Sequence, residues 1–369
     1  MHAVIGAQPH HYQRLNLIPG VIQPWEDGLR TAAADGTFEW WYCDAHLDDG
    51  STLTVEFHTK PPYVSPKAPL TPFVLLTLTR PDGSRTDRTY LGEPSEFSAS
   101  AEACDVSIGP QVFRGGPDGY TIHVEIEDTV VDLTLTAEVP PWRPETGHAF
   151  FGENEEHYIA WLPVVARGHV EATVTFDGVP RRLTGTGYHD HNWGNIAPRK
   201  VLDHWYWGRA RLGDHTVVTL MFVSHERYGK AVLPAVLVAE SGHVITSAVG
   251  AEAVGFAEDE VFVHPDSGVE VAGRLTYRVG EGSSAYTITF VRDKDTFLLD
   301  FGAAGAYHRF IGDVTLRREP ADGQGPSTTV RDRTLWELLH FAGKAGGTDG
   351  ASGSEEDGHG RLPVIGHQA

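Results

Sequence analysis

Only two cysteines, Cys43 and Cys104, occur in 369 residues, which excludes a disulfide-stapled scaffold. Both are expected to stay reduced. Positive charge is scarce too: 29 Lys and Arg stand against 50 Asp and Glu, a net charge of −21. Nucleic-acid binders need clustered cations to displace counterions, so no nucleic-acid partner is predicted. Long apolar runs are missing, and no integral membrane segment is expected. Residues 1–20 lack the basic-then-apolar order of a secretion signal, so the expected location is cytoplasmic. Gly185-Thr186-Gly187 leads into no helical pattern and so forms no dinucleotide fingerprint, and no Gly-x-Ser-x-Gly elbow occurs. The sequence therefore predicts no cofactor.

What the chain does contain is strand signal. Thr52–His58, Val131–Ala137, Val170–Phe176, His215–Met221 and Arg274–Val279 alternate apolar with polar residues and are rich in β-branched side chains. Asp49-Gly50, Pro81-Asp82-Gly83, Pro117-Asp118-Gly119, Asp177-Gly178 and Ser241-Gly242 punctuate them as turns. The pattern predicts an all-β protein of two antiparallel, barrel-like domains. The expected divisions are an N-terminal extension over 1–35, barrels over 36–197 and 198–343, and a disordered acidic tail over 344–369. Thr334–Phe341 reads as a short C-terminal helix. Barrels of this size enclose a cavity suited to an apolar small molecule.

The densest polar cluster is Gly187-Tyr188-His189-Asp190-His191-Asn192-Trp193-Gly194. On a strand, Tyr188, Asp190 and Asn192 share one face, while His189, His191 and Trp193 share the other. Three readings stand side by side. Asp190 and a histidine form an acid/base pair, because burial raises a carboxyl pKa and keeps its proton available. Alternatively His189 and His191 hold a metal from one strand face, although no spaced ligand motif completes the set, and no metal is expected. Otherwise the side chains tie loops together. Phe38-Glu39-Trp40-Trp41-Tyr42 adds Glu39 as a second candidate acid. His204-Trp205-Tyr206-Trp207-Gly208-Arg209 adds aromatic faces that can stabilise a carbocation.

Gly187–Gly194, taken with Phe38–Tyr42 and Leu335-Trp336-Glu337-Leu338, resembles the AttH and carotenoid 1,2-hydratase (hydroxyneurosporene synthase) family over about residues 36–343. The resemblance implies two lipocalin-like domains. It also implies kinship with kievitone-hydratase-like proteins and fungal decalin-forming Diels–Alderases. Carried onto this chain, it marks Asp190, His189, His191 and Glu39 as catalytic. Trp193, Asn192, Tyr188, Trp41, Tyr42, Trp205, Tyr206 and Trp207 are the expected substrate contacts. The expected activity is acid/base conversion of a carbon–carbon double bond in an isoprenoid or polyketide-like substrate, by hydration or by proton-initiated cyclisation or isomerisation. A pericyclase that shapes a polyene and a non-catalytic carrier of an apolar metabolite are the alternatives.

Overall fold

Along Thr129–Ala137, Val131, Leu133 and Leu135 are buried, while Asp132, Thr134 and Thr136 are exposed. That period of two is what one sheet face against a core and one against water requires, and it recurs through the chain. The computed structural model describes residues 1–32, 34–61, 69–176, 178–281, 285–302, 305–320 and 327–341. Among these, one compact unit holds Ile5–Pro198 and a second holds Met1–Val4 with 199–341.

In the first unit an antiparallel sheet runs, in spatial order, from Arg85–Leu91 through Phe73–Thr79 and Thr52–His58 to Phe38–Leu47. It continues through Val179–Gly194, His157–Phe176, Thr129–Ala137 and Gly119–Ile126 to three short strands. The last of these strands in sequence, Val179–Gly194, thus lies beside the first, Phe38–Leu47. The core inside the curled sheet includes Trp41, Val55, Phe57, Phe113, Leu133 and Val170. Hairpin turns at Gly50 and Gly83 use φ of 84° and 85°, values that glycine adopts without strain.

The second unit repeats this closure. Its nine strands run from His243–Val249 at one edge to Val254–Val263 at the other. The last strand, Thr328–His340, is inserted between the first, Leu202–Leu212, and Ala306–Arg318. This arrangement corrects the expected C-terminal helix. Leu335, Leu338 and Leu339 fit helical spacing, but Thr334, Trp336 and Leu338 also alternate, and all three are buried. Pairing on both sides satisfies the backbone and overrides the local helical preference. The one α-helix among the described residues is instead Pro9–Leu15, within the stretch read as an extension. The expected disordered tail, 344–369, lies outside the described residues. Among those described, no helix is long and apolar enough to cross a membrane.

Two expectations follow. A Cβ on Gly185 would stand 2.2 Å from the His46 carbonyl oxygen and 2.9 Å from the Leu47 Cα. Gly185→Ala should therefore destabilise the first unit by about 1–3 kcal/mol in denaturant unfolding. In the second unit, His204 Nδ1 lies 2.8 Å from Asp203, and its Nε2 lies 3.6 Å from Glu258. Burial alone would lower the pKa of His204, but these two carboxylates outweigh it and raise the value to about 9. Lys230 also faces Asp203, and His340 stacks on the His204 ring. Because the folded pKa exceeds the unfolded one, this stabilisation is complete below about pH 6.5 and drains away as pH rises through about 9. The wild type should lose up to about 3 kcal/mol over that window, and His204→Gln should lose correspondingly less.

Candidate functional site

Residues 187–194 pair one-to-one with Phe38–Ala45. His189 lies opposite Cys43, Asp190 opposite Tyr42, His191 opposite Trp41, Asn192 opposite Trp40 and Trp193 opposite Glu39. Opposed residues share a face, so strict alternation divides the motif in two. Glu39, Trp41, Cys43, His189, His191 and Trp193 turn toward the apolar core. Trp40, Tyr42, Asp44, Tyr188, Asp190 and Asn192 turn the other way. The irregular pairing sits on the neighbouring strand, between Pro163 and Gly168, and not within the motif strand. Glycine supplies close approach here: a Cβ on Gly187 would lie 2.6 Å from Val170 and 2.9 Å from Leu135.

The outer face centres on Asp190. Its Oδ2 accepts from the Trp161 indole at 2.7 Å and the Tyr188 hydroxyl at 2.8 Å, and its Oδ1 accepts from the Asn192 amide at 2.7 Å. Burial pushes its carboxyl up to about 6, against the pull of these donors and of His189. The Tyr42 hydroxyl donates to Asp44 at 3.2 Å. On the next strand, Glu56 lies opposite Tyr42 and His58 opposite Trp40. Glu56 and His58 contact each other at 2.9 Å. His58 is buried, and its ring stacks on Phe73 and Trp40. Trp142 packs edge-on to Trp161. The result is a carboxyl held by neutral donors in an aromatic setting.

The inner face is a separate network. Glu39 accepts from the Arg30 and Thr31 amides, each at 2.7 Å, from the Thr31 hydroxyl at 2.6 Å and from His191 Nε2 at 2.8 Å. A carboxylate offers about four lone-pair sites, and all are taken. That fits a side chain that anchors the neighbouring backbone and His191. His191 stacks on Trp41 at 4.7 Å, and the Trp193 ring is tilted against it, also at 4.7 Å. His189 Nδ1 donates to the Tyr42 carbonyl at 2.8 Å. Its Nε2 faces Asp27 Oδ2 at 3.2 Å, and Tyr120 donates to that same oxygen at 2.6 Å. Burial opposes the charged form of His189, but Asp27 outweighs it and the pKa is raised. Cys104 is fully buried nearby, and burial pushes its thiol well up.

The structure thus brings Tyr188, Asp190, Asn192 and Tyr42 together, and separately brings together Glu39, Trp41, His189, His191 and Trp193. Trp205, Tyr206 and Trp207 belong to the second unit. Tyr206 lies in that unit's core, where its hydroxyl accepts from the Ala272 amide at 2.9 Å. Trp205 and Trp207 project from the opposite face of the strand and are buried. Sequence reasoning missed Trp161, Asp27, Tyr120 and Cys104 as members of these networks. A tryptophan in the alternating run Tyr158–Trp161 was the one available signal. Asp27, in the short turn Pro24–Asp27, carried none.

Comparison with known proteins places these residues in context. The family described as Diels-Alderase-like matches residues 119–303. The quinolone epoxide rearrangement protein penF of Penicillium thymicola is 26% identical over 252 residues, and the chain spans about 64% of that relative's length and 64% of its own. Among solved structures, CghA bound to Sch210972 superposes with a TM-score of 0.63 at 14% identity, over 84% of this chain and 89% of that one. A Nitrosomonas europaea structure assigned to AttH gives 0.61 at 18% identity, over 88% and 99%. At such identities the likeness is one of fold.

The filled acceptors of Glu39 make a separable prediction. Glu39→Gln sets an amide donor against donors already in place, and should cost about 3–5 kcal/mol in urea unfolding. A Glu39 whose role is proton donation would instead leave stability intact.

Proposed function

Because the chain belongs to the Diels-Alderase-like family, we propose that it is an enzyme that redraws bonds within an apolar, unsaturated small molecule by acid/base catalysis at Asp190. The observation that carries this reading is the Asp190 carboxyl itself: buried, and fixed by Trp161, Tyr188 and Asn192 beside Tyr42. Its three donors are neutral, so they orient the group without locking it into an ion pair. Proton transfer from such a carboxyl to an alkene carbon forms a C–H bond and leaves a carbocation. Indole and phenol faces stabilise that cation through their ring quadrupoles. Attack by a second double bond and return of a proton to the carboxylate completes a cyclisation; proton return alone completes an isomerisation, and capture by water completes a hydration. The substrate's overall oxidation state is unchanged in each case.

The similarity to penF, named for rearranging a quinolone epoxide, supports a reaction internal to one small molecule. Isoprenoid and polyketide-type skeletons supply double bonds of the required kind. Cys43 and Cys104, buried and outside any disulfide, fit a reducing, cytoplasmic place of action. The family's description favours one second reading, a pericyclase in which the aromatic face only shapes a polyene.

Turnover of a panel of polyenes and quinolone epoxides in D2O tests the choice. Proton-initiated chemistry installs deuterium on product carbon, and Asp190→Asn should lower kcat at least ~10²-fold while the variant stays folded. Deuterium-free product with full turnover by Asp190→Asn would replace acid/base catalysis with a pericyclic closure. Every compound recovered unchanged would leave the carrier reading in its place.

A further inference from the structure

The inner network is explained by what its lone pairs face. A carbonyl oxygen only accepts, so the bond from His189 Nδ1 to the Tyr42 carbonyl puts the proton on Nδ1 and, in the neutral ring, leaves Nε2 bare. The bond from His191 Nε2 to the Glu39 carboxylate likewise leaves His191 Nδ1 bare. Both nitrogens face Asp27: His189 Nε2 shares a hydrogen bond with Oδ2 at 3.2 Å, and His191 Nδ1 is 3.6 Å from Oδ1. Among the described residues, neither His191 Nδ1 nor Asp27 Oδ1 has a hydrogen-bond partner, although both are buried. Protonating His191 does not cure this, because 3.6 Å is too long for a hydrogen bond. A cation between the two groups does.

A third donor lies at the same spot. Ligand atoms of Asp27, Cys104 and His189 all fall within 4.8 Å of one another, and all three residues are buried. Two ligands of a tetrahedral zinc ion, at bond lengths of about 2.0–2.3 Å, stand about 3.5 Å apart, so modest side-chain movement closes this set of three; His191 stands outside it, 3.6 Å from Asp27, and completes a fourth position only by moving inward. The outer partners follow the pattern by which proteins orient metal-binding imidazoles, one ring donating to a backbone carbonyl and the other to a carboxylate. We propose that Asp27, Cys104, His189 and His191 form a buried structural site for one divalent transition-metal ion of the zinc type. A thiolate and two imidazoles beside one carboxylate suit zinc over magnesium or calcium, which take oxygen ligands. Loading replaces the Cys104 thiol proton and the proton shared by His189 Nε2 and Asp27 with the metal and releases both protons; no redox step is involved. Four protein ligands and full burial leave no open position, so the ion's role is to tie the turn Pro24–Asp27 and Cys104 to the motif strand. It would sit on the face opposite Asp190.

The test uses the full chain, stripped by a chelator and reloaded with zinc or cobalt(II). The proposal expects one equivalent bound per chain, a rise in thermal-unfolding midpoint on zinc addition, and a thiolate-to-cobalt charge-transfer band. Cys104→Ser should lose that band and Cys43→Ser should keep it. If Cys104→Ser does not fold, X-ray absorption of zinc-loaded wild type decides instead, with one sulfur and three nitrogen or oxygen neighbours expected. A folded wild type that binds neither metal stoichiometrically overturns the site, as does a zinc shell without sulfur or a band that depends on Cys43. The inner network would then be a hydrogen-bonded scaffold of Asp27, Glu39, His189 and His191.

Discussion

The antiparallel register between Val179–Gly194 and Phe38–Leu47 governs both networks of the first unit. Side chains on a strand alternate, and a pairing slip of one residue would exchange the two faces entirely. Asp190 would then enter the apolar core, and His189 and His191 would leave it. Several devices hold the register. Glycines at 185 and 187 admit backbone and side-chain contacts that no Cβ tolerates. Glu39 is clamped by two backbone amides, a hydroxyl and His191. The Trp41 indole donates to the Asp27 carbonyl at 3.0 Å. Each of these contacts is made in one alignment and lost in its neighbours.

Burial then gives the two faces different chemistry from the same residue types. On the inner face a carboxylate meets amides and imidazoles in a fully enclosed setting, which suits anchoring an ion. On the outer face Asp190 meets neutral indole, phenol and amide donors, and burial lifts its carboxyl to about 6. Ion pairing locks a group in place; neutral donors leave it able to exchange a proton. One strand therefore carries a histidine–carboxylate network on one side and a carboxyl held by neutral donors on the other, and replacing residues on either side tests a different property.

Much of this was legible in the sequence, for reasons that differ by element. Thr52–His58 and Thr129–Ala137 announced themselves because one face meets core and the other does not, so composition alternates with geometry. The two-face division of the 188–193 segment followed from the same period. Thr328–His340 did not, since it is buried on both faces near its end and its leucines fit helical spacing equally well; only the partners on either side decide it. Asp27, Cys104 and Tyr120 were invisible for another reason. They reach His189 from 162, 85 and 69 positions away along the chain, through a turn and two different segments, and no local pattern encodes such a meeting. The filled acceptors of Glu39 were hidden likewise, because two of its donors are backbone amides.

Pairing the final strand with the first has a bearing on how the protein comes into being. As the first unit emerges from the ribosome, Phe38–Leu47 waits with one edge unpaired until more than 130 further residues have been made. Asp190, its donor Tyr188 and both histidines arrive on that last strand, so neither network exists in a nascent or truncated chain. Long-range closure of this kind is slow and leaves strand edges open to wrong partners. Late closure is thus built into the topology, and both networks form only when the last strand of the sheet pairs with the first.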